Sequence, residues 1–152
     1  MDDAGNKSTD GLLESILAGS VKGYGAVAVL LRDASAEALS RLNGPLFSAL
    51  AHFGIPYRVE VVTSEWMESA DADDTLQCAA LLLPQSGTAA LFPQSFADRV
   101  TEAVSSGLGI ICYESDDAQL PGWLRRLPGT GKLVDTIGTG EFVSVVTRET
   151  DH

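Results

Sequence analysis

Three stretches of this chain are apolar almost from end to end: GAVAVLLRD at residues 25–33, CAALLLP at 78–84 and GIICY at 109–113. A strand with one face in water alternates apolar and polar side chains. Runs like these fit strands covered on both faces, the situation of a parallel sheet under two layers of helix. YRVEVV, at 57–62, alternates and reads as a strand nearer the sheet's edge.

Helical spacing fills the intervals. Leu39, Leu42, Leu46, Leu50 and Phe53 recur three or four apart, with Gly44-Pro45 expected to break the helix into two pieces. Gly54 supplies a stop and Pro56 bars continuation. Thr63 or Ser64 can cap a short helix carrying Trp66 and Met67, and Asp71, Asp73 and Asp74 read as a solvated loop. Phe96, Val100, Ala103 and Val104 mark a further helix, with Ser95 and Asp98 spaced like a capping box and Gly107 as its end. Pro121 opens a last short helix that turns Trp123, Leu124 and Leu127 inward. Trp123 is expected in the core, whereas Trp66 is left open between core and interface.

At the N-terminus, residues 1–9 read as a disordered tail. Asp10 then caps a helix with Leu12, Leu13, Ile16 and Leu17 on one face and Gly19 as its stop. KLVDTI and EFVSVV, joined across Gly138-Thr139-Gly140, read as a β-hairpin at the C-terminal end. The expected architecture is one α/β domain over 10–152. It is a three-layer sandwich around a mostly parallel sheet, with an N-terminal helical extension and the C-terminal hairpin.

Composition bounds the partners. The 152 residues, 45% hydrophobic and 20% charged, make one globular domain. Asp and Glu number 21 against 10 Lys and Arg, a net charge of −11, which argues against nucleic acid and anionic membrane surfaces. The start has no signal-peptide pattern, and no apolar run reaches the roughly 20 residues of a membrane span, so a soluble chain is expected. The two cysteines do not make a disulfide framework. Cys78 and Cys112, at opposite ends of adjacent strands, would stand about 13 Å apart, too far to bridge.

Ligands of open α/β sheets bind beyond the carboxyl ends of the strands. The residues expected there are Arg32 and Asp33; Thr63, Ser64 and Glu65; Gln85, Ser86 and Gly87; and Cys112 through Asp117. The first turn, RDASAEA, has no glycines to let backbone approach a pyrophosphate, and a phosphate loop is lacking, so no cofactor is expected. Glu114, Asp116, Asp117 and Asp33 could offer oxygen ligands, but short acidic loops are usually only solvated, and no metal is expected. His52 reads as a half-buried packing residue beside Phe53, and no Cys/His ligand spacing is present. Asp33, Ser86, Glu114 and Asp116 remain as candidate ligand-binding residues.

Residues 78–120, CAALLLPQSGTAALFPQSFADRVTEAVSSGLGIICYESDDAQL, together with NGPLFSALAHFGIPYRVEVV, resemble the class I glutamine amidotransferase-like superfamily over roughly 24–120. The resemblance implies a flavodoxin-like sheet, with a strand ending in Leu-Pro, then a helix, a glycine and a strand that ends at a nucleophile elbow. Cys112 would occupy that elbow. The family's small residues around the thiol are replaced by Tyr113 and Glu114, and no His follows Cys112 before His152. Glu114 beside the thiol would also raise its pKa. These departures imply a noncatalytic member of the kind fused to carbohydrate-active enzymes. Such a domain serves as an accessory, assembly or ligand-binding module, with another domain, a second copy or a small ligand as partner. The alternative is a Cys112-dependent hydrolase or amidotransferase-like enzyme with Asp33 or Glu37 as acid partner.

Overall fold

The computed structural model describes residues 11–12, 14–17, 26–115 and 120–127. Four strands, β1 (Val27–Leu31), β2 (Tyr57–Val61), β3 (Ala80–Leu83) and β4 (Gly109–Cys112), form one sheet in the order β2-β1-β3-β4. Every pairing is parallel. The helices are α1 (helical residues 11–12 and 14–17), α2 (Ala36–Leu42), α3 (Ala49–His52), α4 (Ser64–Met67), α5 (Ala70–Thr75), α6 (Gln94–Ser105) and α7 (Gly122–Arg125). The fold is α/β, as the continuous apolar runs require.

Period-two geometry divides the core. Ala28 and Leu30 of β1 join Leu81 and Leu83 of β3 in a cluster closed by Trp66, Met67, Phe96, Val100, Trp123 and Leu124. Val29 and Leu31 point the other way, to Leu39, Phe47, Leu50, Tyr57 and Ile16. The Tyr57 hydroxyl donates to the Ile16 carbonyl at 3.0 Å and ties α1 to this second face. In the first cluster Phe92 stacks on Trp123 at 5.6 Å, and Phe96 meets Trp66 edge-on at 5.7 Å. Such ring pairs add to the gain from burial itself. Both tryptophans are therefore core residues, which decides the case of Trp66.

Local structure departs from the sequence expectation at several points. Gly44-Pro45 does not break the helix. A π turn (Asn43–Ser48) carries the chain from α2 straight into α3, its wider winding accommodating a ring that cannot donate and would crowd an ordinary turn. The stretch with Asp71, Asp73 and Asp74 is helix α5, not loop. Ser69 caps it by accepting from the Ala72 N–H at 3.3 Å, its first-turn aspartates favour the helix dipole, and Ala72 and Thr75 anchor it in the core. Ser95 and Asp98 make no capping box. Helix α6 starts at Gln94 after Pro93, and the Asp98 carboxylate accepts from Gln94 Nε2 at 2.7 Å.

His52 is exposed rather than half-buried, its ring edge set on an equally exposed Phe53 at 5.0 Å. Cys78 lies in a bend ahead of β3, not within it. Residues 1–9, Asp10, Gly19 and the hairpin expected at 132–146 lie outside the described residues.

Among the described residues the two outer strands of the sheet differ in kind. Arg58 of β2 is only 3% exposed, and its Nη2 donates to Glu60 at 2.8 Å while the guanidinium lies beside Cys78. β4, in contrast, is Gly-Ile-Ile-Cys and carries no charge.

Candidate functional site at the carboxyl edge of the sheet

The chain runs from β1 outward to β2 and then returns past β1 to β3, so the direction of winding changes between β1 and β3. The carboxyl ends of these two strands flank the crevice where open α/β sheets hold ligands. Here that crevice is closed by a side chain of the chain itself. Gln85 Oε1 accepts from the N–H of Arg32 at 2.7 Å and of Asp33 at 2.9 Å. Its Nε2 donates to the Asp33 carbonyl at 2.7 Å. An amide has one accepting and one donating end, so two N–H groups on one side and a carbonyl on the other fix its orientation. The backbone donors that a bound anion or oxyanion would use after β1 are thereby occupied.

A second clamp joins β3 to β4. The turn after β3 places Gly87 at φ 84°, a left-handed conformation natural to glycine, and its N–H donates to Glu114 Oε1 at 2.8 Å. Ser86 Oγ donates to Glu114 Oε2 at 2.7 Å. Because that proton is committed to the carboxylate, the 3.0 Å contact between the Ser86 and Ser115 hydroxyls leaves Ser115 as the donor. The Thr88 hydroxyl, fully buried, donates to the Gln85 carbonyl at 2.7 Å and fixes the base of the same turn.

Cys112 ends β4 beside this clamp. Its side chain is partly buried against the first core cluster, and burial, with the Glu114 charge as a lesser cause, pushes the thiol up to about 11. A thiol so placed is protonated near neutrality and is a poor nucleophile. The proposed acid partners are engaged elsewhere. Asp33 Oδ1 accepts from the Ser35 N–H at 2.8 Å, and this bond, before any charge effect, holds its carboxyl below the ordinary range. Glu37 pairs with Arg41 at 2.5 Å. His52 lies on α3, just ahead of the amino end of β2, whereas Cys112 stands at the carboxyl end of β4.

Of the candidate ligand-binding residues, the structure brings Ser86 and Glu114 into direct contact. Asp33 belongs to the neighbouring Gln85 clamp, and Asp116 lies outside the described residues. Gln85 is the member that sequence reasoning underrated. Its only signal was position, a long polar side chain immediately after the strand that borders the winding change. Thr63 and Ser64 serve α4, Thr63 Oγ1 accepting from the Trp66 N–H at 3.1 Å.

Among the described residues no three His, Cys, Asp or Glu side chains converge as a metal site, and no helix is long and apolar enough to cross a membrane. A cavity of about 270 Å³ beside α4 and the start of α6, lined by Ser64, Met67, Phe96 and Arg99 among others, includes none of Asp33, Gln85, Ser86, Cys112 or Glu114. Comparison with known protein families, with curated proteins and with solved structures finds no match for this chain.

Proposed function

We propose that this chain is a noncatalytic, amidotransferase-like α/β module that works through association, as an accessory or assembly domain of a larger carbohydrate-processing protein. The observation that carries this reading is the closure of the sheet's carboxyl edge by its own side chains. Gln85 takes the backbone donors after β1, and Glu114 takes the Gly87 N–H and the Ser86 hydroxyl of the turn after β3. Catalysis by a thiol needs an activated thiolate and free donors for a developing oxyanion. At Cys112 burial and the adjacent carboxylate oppose the thiolate, and the Arg32, Asp33, Gly87 and Tyr113 N–H groups of this edge are already bonded.

The test is native-state alkylation of Cys112 together with ammonia release from glutamine and hydrolysis of simple amide and ester substrates. The expected result is a slow-reacting Cys112 and no turnover above background. Rapid labelling at neutral pH, with a turnover that Cys112→Ala abolishes while the fold persists, would establish the hydrolase instead.

A further inference from the structure

We propose that the cavity beside α4 and the start of α6 binds a small organic cation, an ammonium group carried on a short apolar body. Ser64, Met67 and Glu68 reach it from α4 and its end, and Leu91, Phe96 and Arg99 from α6 and the turn before it.

Size bounds the occupant. The cavity measures about 270 Å³, just under the range of about 300–1,000 Å³ usual for small-molecule sites. An apolar cavity of about 150 Å³ admits benzene, so this one has room for a ring and a short chain. Met67 and Phe96 are 6% and 1% exposed, and Leu91, 46% exposed, carries the apolar lining out to solvent. Covering that lining with an apolar body removes it from water.

Charge decides the head group. Two charged side chains line the cavity, and one of them is already neutralised. Arg99 pairs with Asp73 through Nη2 and donates from Nη1 to the Met67 carbonyl at 2.9 Å. Its guanidinium carbon lies over the Phe96 ring, 5.4 Å from the centroid, so this cation is held as a wall. Among the described residues no cation pairs with Glu68, and its exposed carboxylate is the unbalanced charge of the site.

The surroundings keep that sign. Arg99 is the one basic residue between Thr63 and Ser105, where acidic residues number seven. An anion would enter against this field, whereas a cation is drawn to it. The first turn of α6 brings the positive end of that helix beside Ser95. The ammonium group therefore belongs with Glu68 at the end of α4, and the apolar body with Met67, Leu91 and Phe96. Neither Gln85 nor Glu114 lines the cavity, so the proposal stands apart from the noncatalytic reading.

The test is a pair of NMR titrations of the full chain at neutral pH, one with 2-phenylethylamine and one with phenylacetate. The probes share a ring and a short chain and differ in the sign of their charge. The expected result with the amine is saturable shifts at Met67 and Phe96, with a dissociation constant on the order of 1 mM. Phenylacetate should bind at least roughly tenfold more weakly. Glu68→Gln should weaken the amine roughly three- to fivefold without weakening phenylacetate. Leu91→Arg, at an exposed side chain, should abolish amine binding by setting a longer side chain and a like charge at the site. Shifts that fail to saturate, phenylacetate binding as tightly as the amine, or amine binding unchanged in both variants would each overturn the proposal. Contacts from residues 128–152 to Met67 and Phe96 in the free protein, with no shifts from the amine, would show the cavity filled by the chain itself and overturn it too. A reactive Cys112 beside intact amine binding would sink the noncatalytic reading alone.

Discussion

Replacing Gln85 by alanine opens the crevice at the winding change. The variant loses three hydrogen bonds, from the Arg32 and Asp33 N–H groups and to the Asp33 carbonyl, all between 2.7 and 2.9 Å. A bond of this kind contributes about 0.5–1.5 kcal/mol net, which sets an upper range of about 1.5–4.5 kcal/mol for the set. The groups lie at a solvent-reached edge where water can replace the amide in part, so the lower end applies and about 1.5 kcal/mol is expected. For a chain of this length that is a fall of about 3–6 °C in Tm.

Urea titration measures the global loss, and amide exchange at Arg32 and Asp33 measures the local one. Exchange there should accelerate by about tenfold, the equivalent of 1.4 kcal/mol, while amides in β3 change only as global stability changes. Gln85→Met, of similar length but without polar atoms, should behave like Gln85→Ala if the bonds rather than the bulk matter. Both variants within about 0.3 kcal/mol of the parent, with unchanged exchange at Arg32 and Asp33, would refute the view that this amide closes the site.

Further outcomes follow from the same geometry. With the Cys112 thiol pushed up to about 11, iodoacetamide should label the folded chain at pH 8 roughly two hundred times more slowly than a free thiol of pKa 8.5. Folding raises this pKa, so its contribution to stability is complete below the ordinary thiol value of 9.0 and is lost as pH rises towards about 11; Cys112→Ala should flatten that alkaline fall in urea stability. Glu114→Gln weakens the acceptor for the Gly87 N–H and the Ser86 hydroxyl, should cost about 1–2 kcal/mol, and should bring the Cys112 labelling rate up because one cause of the raised pKa is gone. Glu60→Ala strands the buried Arg58 cation and should cost about 3 kcal/mol, whereas Arg58→Met, which removes the charge itself, should cost clearly less in the same denaturation assay.

Much of this protein was determined by its sequence alone. The unbroken apolar runs at β1, β3 and β4 demand cover on both faces, and that demand makes the sheet parallel and the fold α/β. Helix positions and stops followed from spacing and from Gly54 and Gly107, whose positive φ values of 65° and 115° bear out their role. Local chemistry misled where a neighbour outvoted it. Pro45 reads as a breaker, yet a π turn absorbs it because Leu39 before it and Phe47 and Leu50 after it all reach the same core cluster. Asp71, Asp73 and Asp74 read as solvated loop, yet Ser69 and the burial of Ala72 and Thr75 wind them into helix.

The candidate site was legible as a set of addresses, not as an arrangement. Sequence order places Gln85 and Glu114 after their strands because strands end where apolar runs end. It cannot say that Gln85 reaches back across more than fifty residues to bond Arg32 and Asp33, nor that Glu114 turns onto Gly87. Those bonds depend on strand order. β3 lies beside β1 on one side and β4 on the other only because the chain doubles back past β1, and nothing in any single segment encodes that choice. The free energy that selects it is the burial of both sheet faces at once, a property of the assembled layers.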